Sequence, residues 1–296
     1  MRGDATETSP SKGIVMSAEQ LLRDGMLDEA LVALQDIVRD DPSNAKHRIF
    51  LFQILCVMGQ WDRALTQLNV AADLDPIALA MAQMYREALR IEVLRADIFA
   101  GKRSPLIFGE PPEWISLLIE ALRIDAEGNA TAAQKLRERA FENAPTTSGT
   151  IDDKPFEWIA DADTRLGPVL EVLVNGRYYW APFSNIRQIQ LEEPSDLRDI
   201  IWTPCQFIWA NGGDAVGLIP TRYPSSENNE DPQIRLARKT IWTEPAPGAS
   251  QGCGQRLFAT DSDDFSIMDT RKITLECEVI EVSEMAEASN GESPNA

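Results

Sequence analysis

Residues 17–42 read SAEQLLRDGMLDEALVALQDIVRDDP, and residues 51–76 read LFQILCVMGQWDRALTQLNVAADLDP. Gly25, Asp28, Ala30, Leu31, Leu34 and Asp41-Pro42 return as Gly59, Asp62, Ala64, Leu65, Leu68 and Asp75-Pro76, each 34 residues further on. That offset, with small, large and helix-breaking residues at fixed places, is the period of tetratricopeptide-like helical hairpins. Each unit reads as a helix, a turn at Gly, a second helix whose Ala admits the first closely, and an acidic stop before Pro.

Such a hairpin cannot bury its apolar face alone, and about three are needed for a stable array. A third copy follows after a gap. Gly128, Ala133 and Pro145 keep the mutual spacings of Gly25, Ala30 and Pro42, although Arg137 stands where the first two copies have Leu. Its first helix opens at Pro111-Pro112 and carries Trp114, Leu117, Leu118, Ala121 and Leu122 on one face. Between the second and third copies, residues 78–99 read as one long amphipathic helix with Gly101 as its stop.

Past Pro145 the helical period disappears and strand signals accumulate. Residues 169–174 and 177–183 flank Asn175-Gly176, a pair that favours a type I′ hairpin because both central residues must take positive φ. A second hairpin is expected between 200–210 and 215–219. Further strands are expected at 186–191, 234–242, 255–260 and 273–279. The fold class is therefore α+β, a tetratricopeptide-like hairpin array followed by a mainly antiparallel, barrel-like β domain. The predicted divisions are a mobile leader at 1–16, the helical domain at 17–145, a linker at 146–153, the β domain at 154–282 and a disordered acidic tail at 283–296.

Composition narrows the function. Of 296 residues, 28 are Lys or Arg and 47 Asp or Glu, a formal charge of -19 that repels nucleic acid and anionic lipid surfaces alike. No stretch offers the roughly 20 apolar residues of a membrane span, and residues 1–13 lack the apolar core of a secretion signal. The four cysteines lie far apart and form no C-x-x-C pair, which fits free thiols in a reducing cytoplasm and no zinc site. No cofactor or metal is expected. The only histidine, His47, has no Cys or His neighbour at ligand spacing and reads as a solvated helix residue.

Hairpin arrays bind partners, often a helix laid in a groove. The register turns Glu19, Leu22, Arg23, Gln53, Cys56 and Val57 toward a concave side, and these are the predicted partner contacts. Five of the seven tryptophans, at 158, 180, 202, 209 and 242, fall in the β half and should be mostly core. Trp209, beside the Asn211-Gly212-Gly213 turn, is the expected exposed one and joins Arg222 as a second candidate contact. The alternative is an enzyme built on Asp161, Asp163 and Arg165, near Glu157. Turn or capping roles suit those aspartates equally, and no phosphate loop or nucleophile elbow accompanies them.

Several longer segments resemble a known family. FEWIADADTRLGP at 156–168, NGRYYW at 175–180, WANGG at 209–213 and GLIPTRYP at 217–224 are similar to the ImpE/TagJ (SciE-type) proteins of type VI secretion. Tyr85-Arg86, FAGKR at 99–103 and FGE at 108–110 extend the resemblance into the helical half. It implies a cytoplasmic, non-catalytic accessory that binds the N-terminal helical region of the small contractile-sheath subunit, in sheath handling alongside the ClpV unfoldase.

Overall fold

The computed structural model describes residues 16–277. The leader to residue 15 and the acidic tail lie outside the described residues. Three antiparallel hairpins carry the repeat: α1 (Ala18–Arg23) with α2 (Leu27–Asp40), α3 (Ala45–Val57) with α4 (Trp61–Leu74), and α6 (Glu113–Ala126) with α7 (Ala130–Asn143). The long helix α5 (Ala78–Phe99) stands between the second and third, with the predicted bounds. Ser17, Asn44 and Asn129 cap α1, α3 and α7 through their side-chain oxygens, and Gly25, Gly59 and Gly128 turn each hairpin at positive φ. Ala30, Ala64 and Ala133 are fully buried, the close approach that the repeat requires of them.

Two short strands open the second half, β2 (Gly149–Ile151) and β3 (Lys154–Phe156), preceded in the chain by β1 (Leu106–Ile107) in the loop after α5. Residues 149–151, expected in a linker, thus belong to the sheet, because Ile151 is buried and pairs on both sides. Next come β4 (Ile159–Asp161), β5 (Val169–Val174), β6 (Arg177–Pro182), β7 (Ile186–Leu191), β8 (Trp202–Trp209) and β9 (Asp214–Pro220). Asn175 and Gly176 have φ of 51° and 70°, as the hairpin between β5 and β6 demands.

The expected strand at 234–242 is instead α8 (Pro232–Arg235) followed by β10 (Thr240–Thr243). Asp231 accepts from the Gln233 amide and Pro232 takes the first helical position, a start signal that outweighs the apolar run. The chain closes with β11 (Gln251–Gly254), β12 (Leu257–Thr260), β13 (Asp264–Ser266) and β14 (Lys272–Leu275).

Nine strands form one sheet in the order β1-β6-β5-β9-β8-β7-β14-β2-β3, which has two ends and is no closed barrel. All neighbours are antiparallel except β1 on β6. Its interior strand β5 is buried on both faces. Val169 and Leu173 join a core shared with the helices, whereas Leu170, Val172 and Val174 join a second core with Ile159 and Phe258 of the small β13-β12-β4 sheet. The first core runs without a break from Ala18 through Phe52 and Tyr85 to Trp180, Trp202 and Leu236. Tyr85 meets Trp202 with ring centroids 5.6 Å apart, and Phe99 meets Trp180 at 6.1 Å. The change of composition near residue 146 therefore marks a change of secondary structure inside one packed body.

The first two repeat turns dock on the β half. A Cβ at Gly59 (φ 67°) would overlap the Glu227 side chain, whereas one at Gly128 (φ 85°) would meet nothing within 4 Å. Alanine at either site costs about 1 kcal/mol for its left-handed backbone, and Gly59→Ala is expected to cost measurably more than Gly128→Ala in urea titrations. Equal losses would contradict the docking of that turn.

Candidate functional site

Where β5 and β9 part, buried charges take over from the backbone ladder. These strands pair only at Leu173–Leu218 and Val174–Gly217. Beyond that point Glu171 of β5 receives two arginines. Arg95 of α5 grips it in bidentate fashion, at 2.6 and 2.9 Å, and Arg256 bridges it to Asp161. The same guanidinium groups reach backbone oxygens at the end of β9, Arg95 donating to Arg222 O at 2.7 Å and Arg256 to Pro220 O at 2.8 Å. Tyr178 donates its hydroxyl to Glu171 at 2.5 Å and receives the Trp180 indole N–H at 2.9 Å. Glu92 accepts the Trp202 indole N–H at 2.8 Å and faces Arg95 at 3.5 Å.

With the pair Asp163–Arg165 and with Arg222, four arginines and four carboxylates stand close together almost wholly out of water. Buried charge is tolerated here because every member is paired or hydrogen-bonded. Burial would raise the Glu171 carboxyl, but Arg95, Arg256 and the Tyr178 hydroxyl together outweigh it and hold the group at about 2. Asp161 shows the opposite balance. Burial outweighs the pull of Arg256, the Asp163 carboxylate adds to it, and the group stands at about 7.

The sequence-predicted catalytic set forms a structural turn. Asp161 Oδ1 accepts the Asp163 amide at 2.9 Å, Asp163 Oδ1 accepts the Arg165 amide at 2.9 Å, and Asp163 Oδ2 accepts the Gly252 amide at 2.9 Å. Glu157 stands exposed and outside this turn, its amide donating to Asp261. His47 is half-buried on α3, and among the described residues no cluster of three or more His, Cys, Asp or Glu is arranged to hold a metal.

The predicted partner contacts are brought together, but by the chain's own β half. Leu22, Cys56, Val57 and Arg222 are all buried at this internal interface. Arg222 donates to Val57 O at 3.0 Å and Cys56 O at 3.5 Å. Arg238 donates to Leu22 O at 3.1 Å and Arg23 O at 2.9 Å. Those acceptors are equivalent positions in the first two repeats, 34 residues apart. One arginine therefore caps the carboxyl end of each first helix, where carbonyls are unsatisfied and the helix dipole is negative. The expectation that Leu22, Cys56 and Val57 face an open concave side is overturned, because that side is occupied in cis. Glu19 and Arg23 are exposed, and Glu19 lines a shallow hairpin groove of about 280 Å³ with Gln53, Lys46, Ile49 and Phe50.

Trp209 is also inside, only 5% exposed. The loop after α5 folds back so that Phe108 stacks on it at 3.8 Å, with Phe207 on its other side at 4.7 Å. The exposed tryptophans are Trp158 at 40% and Trp242 at 39%. Trp158 borders a cavity of about 370 Å³ with Phe141, Pro168 and Asp161. A larger groove, about 680 Å³, involves the methionine-rich side of α5. It lies between Met81, Met84 and Ile91 of α5 and Leu173, Val216 and Leu218 of the sheet.

Comparison with known proteins gives a consistent picture. The ImpE protein family matches residues 153–274, and a tetratricopeptide repeat family matches residues 21–89. The type VI secretion system accessory component TagJ of Pseudomonas aeruginosa is 53% identical over 263 residues, covering 89% of this chain and 92% of that protein. The crystal structure of protein VPA1032 from Vibrio parahaemolyticus superposes with a TM-score of 0.79 at 22% identity, over 88% of this chain and 98% of the other, a likeness of fold.

The buried charges make a pH prediction. A carboxyl whose folded value is about 2 against an ordinary 4.5 adds stability that is complete above the ordinary value and is lost as pH falls from there toward 2. Asp161, held high, acts in the opposite sense, its contribution fading as pH rises from about 4 toward 7. The comparison is therefore wild type against Glu171→Gln. The variant should lose about 3–5 kcal/mol at neutral pH, since Arg95 and Arg256 are left short of charge. The deficit should shrink on acidification below about pH 4.5. A deficit constant from pH 7 to pH 3 would contradict the assignment.

Proposed function

This chain belongs to the ImpE/TagJ family of type VI secretion accessory proteins, and from that membership we propose that it is a non-catalytic adaptor of the secretion apparatus. In this reading it works in the cytoplasm and seats a helical segment of the small contractile-sheath subunit. The observation that carries the proposal is the internal engagement of the Asp161–Asp163–Arg165 turn. Each of its four carboxylate oxygens accepts at least one hydrogen bond from within the chain, the pattern of a turn that holds the fold. What the surface offers instead is grooves of a size and apolar character suited to a peptide.

Two further features support a protein partner. The formal charge of -19 disfavours nucleic acid and anionic membranes, and no described helix is long and apolar enough to cross a membrane. Glu19 and Gln53 keep a place in the proposal through the hairpin groove, the seat nearest the one expected from the repeat register. The competing enzyme reading rests on one observation, that Asp161 titrates near neutrality at the edge of the 370 Å³ cavity.

Calorimetry of the full chain with a synthetic peptide from the N-terminal region of the small sheath subunit tests the reading. The expected result is saturable binding at micromolar concentration with a gain of peptide helicity by circular dichroism, because a short helix is marginal alone in water. Replacement of Asp161 or Asp163 by Asn should leave binding by the folded protein within a few-fold of wild type. No heat and no helix gain would contradict the adaptor reading. A small-molecule turnover that Asp161→Asn abolishes would establish the enzyme instead.

A further inference from the structure

The 680 Å³ groove carries features that no internal role explains. Met84 of α5 is 46% exposed and Val216 of β9 is 77% exposed, two large apolar side chains on opposite walls of one depression. Its floor is the buried Leu173 and Leu218. Apolar surface gathered in this way marks an interaction site more often than a scattered exposed side chain does. Methionine on one wall allows the contact to adapt to a partner's shape.

The sheet is also unfinished at this place. β9 pairs with β8 along its whole length, from Asp214 to Pro220, but with β5 only at Gly217 and Leu218. Residues 214–216 therefore project past the end of β5, and Val216 lines that wall of the groove. Three residues are too few to template an added strand. The opposite wall, Met81 to Ile91, spans eleven residues of α5, about 15 Å end to end at 1.5 Å per step, enough for roughly three turns of a second helix.

Charge gives the occupant a sign. Glu192 lines the groove and Asp214 shares a face of β9 with Val216; both are exposed, and neither has an ion-pair partner among the described residues. The neighbouring cations are already engaged, Arg198 with Asp196 and Arg90 with Glu87. The hairpin groove lacks this bias, since Glu19 and Lys46 offset each other there.

We propose that the α5–β9 groove is the seat of the helical partner segment, which lies along α5 as a short amphipathic helix with its apolar stripe on Met84 and Val216 and basic side chains toward Glu192 and Asp214. The proposal rests on the adaptor reading above and adds its location. A basic flank facing an acidic rim speeds encounter and makes it salt-dependent.

The test uses the full chain and the fluorescently labelled sheath-subunit peptide, read by anisotropy, with folding of each variant checked by circular dichroism and melting temperature. Val216→Asp and Met84→Glu, both at exposed positions, should each raise the Kd at least tenfold, while Lys46→Glu in the hairpin groove leaves it within twofold. Bound peptide should slow hydrogen exchange in α5 and β9. Wild-type affinity in Val216→Asp and Met84→Glu, together with loss in Lys46→Glu, would move the seat to the hairpin groove and overturn this inference while leaving the adaptor reading intact. Absence of binding by the wild type would overturn both.

Discussion

A glutamate with no exposure to water, clasped by two arginines from distant parts of the chain, is the constraint on which the rest of the structure depends. Glu171 sits on the interior strand β5, Arg95 on the long helix and Arg256 immediately before β12. None of the three could stand uncharged or unpaired there without a penalty of several kcal/mol. Their mutual satisfaction fixes α5 across the sheet, closes the gap where β5 leaves β9, and sets the depth at which Trp180 and Trp202 pack on the helices. Arg222 and Arg238 extend the arrangement by capping the first helices of both intact repeats. A hairpin array this short lacks enough neighbours of its own, and the β half supplies the missing one.

Much of this was legible in the sequence. The 34-residue offset placed the first two hairpins and their glycine turns, and Asn175-Gly176 set the β5–β6 register through two positive φ angles. What stayed hidden was long-range. The carbonyls of Leu22 and Cys56 that receive Arg238 and Arg222 are backbone groups with no side-chain signature, so periodicity showed that this face was special and could not show what covers it. Trp209 beside a glycine-rich turn looked exposed because its cover, Phe108, is about 100 residues upstream in a loop that pairs through only two residues. The strand expected at 234–242 failed for a local reason, the Asp231-Pro232 helix start, a signal already present in the sequence that wins over the apolar run.

The occupied face changes what an adaptor reading requires. In an open array the partner would lie against the inner helices, but here the chain's own segment 222–238 lies there, bonded to main-chain oxygens that no side-chain change can remove. The proposed seat is instead a surface formed after the halves join. The α5–β9 groove is such a surface, since one wall is helix and the other is sheet. A recognition site of that kind exists only in the assembled fold, which links the buried charge set to function without either arginine touching the partner.

The central claim is that helices and sheet form one cooperative body, and native-state hydrogen exchange of the full chain tests it most directly. The slowest amides of α3, near Ile54 to Val57, and those of β5 should share one opening free energy and respond to urea with one slope, since both open only on global unfolding. Exchange of α3 through a separate opening several kcal/mol below that of β5, with a smaller urea slope, would contradict the account.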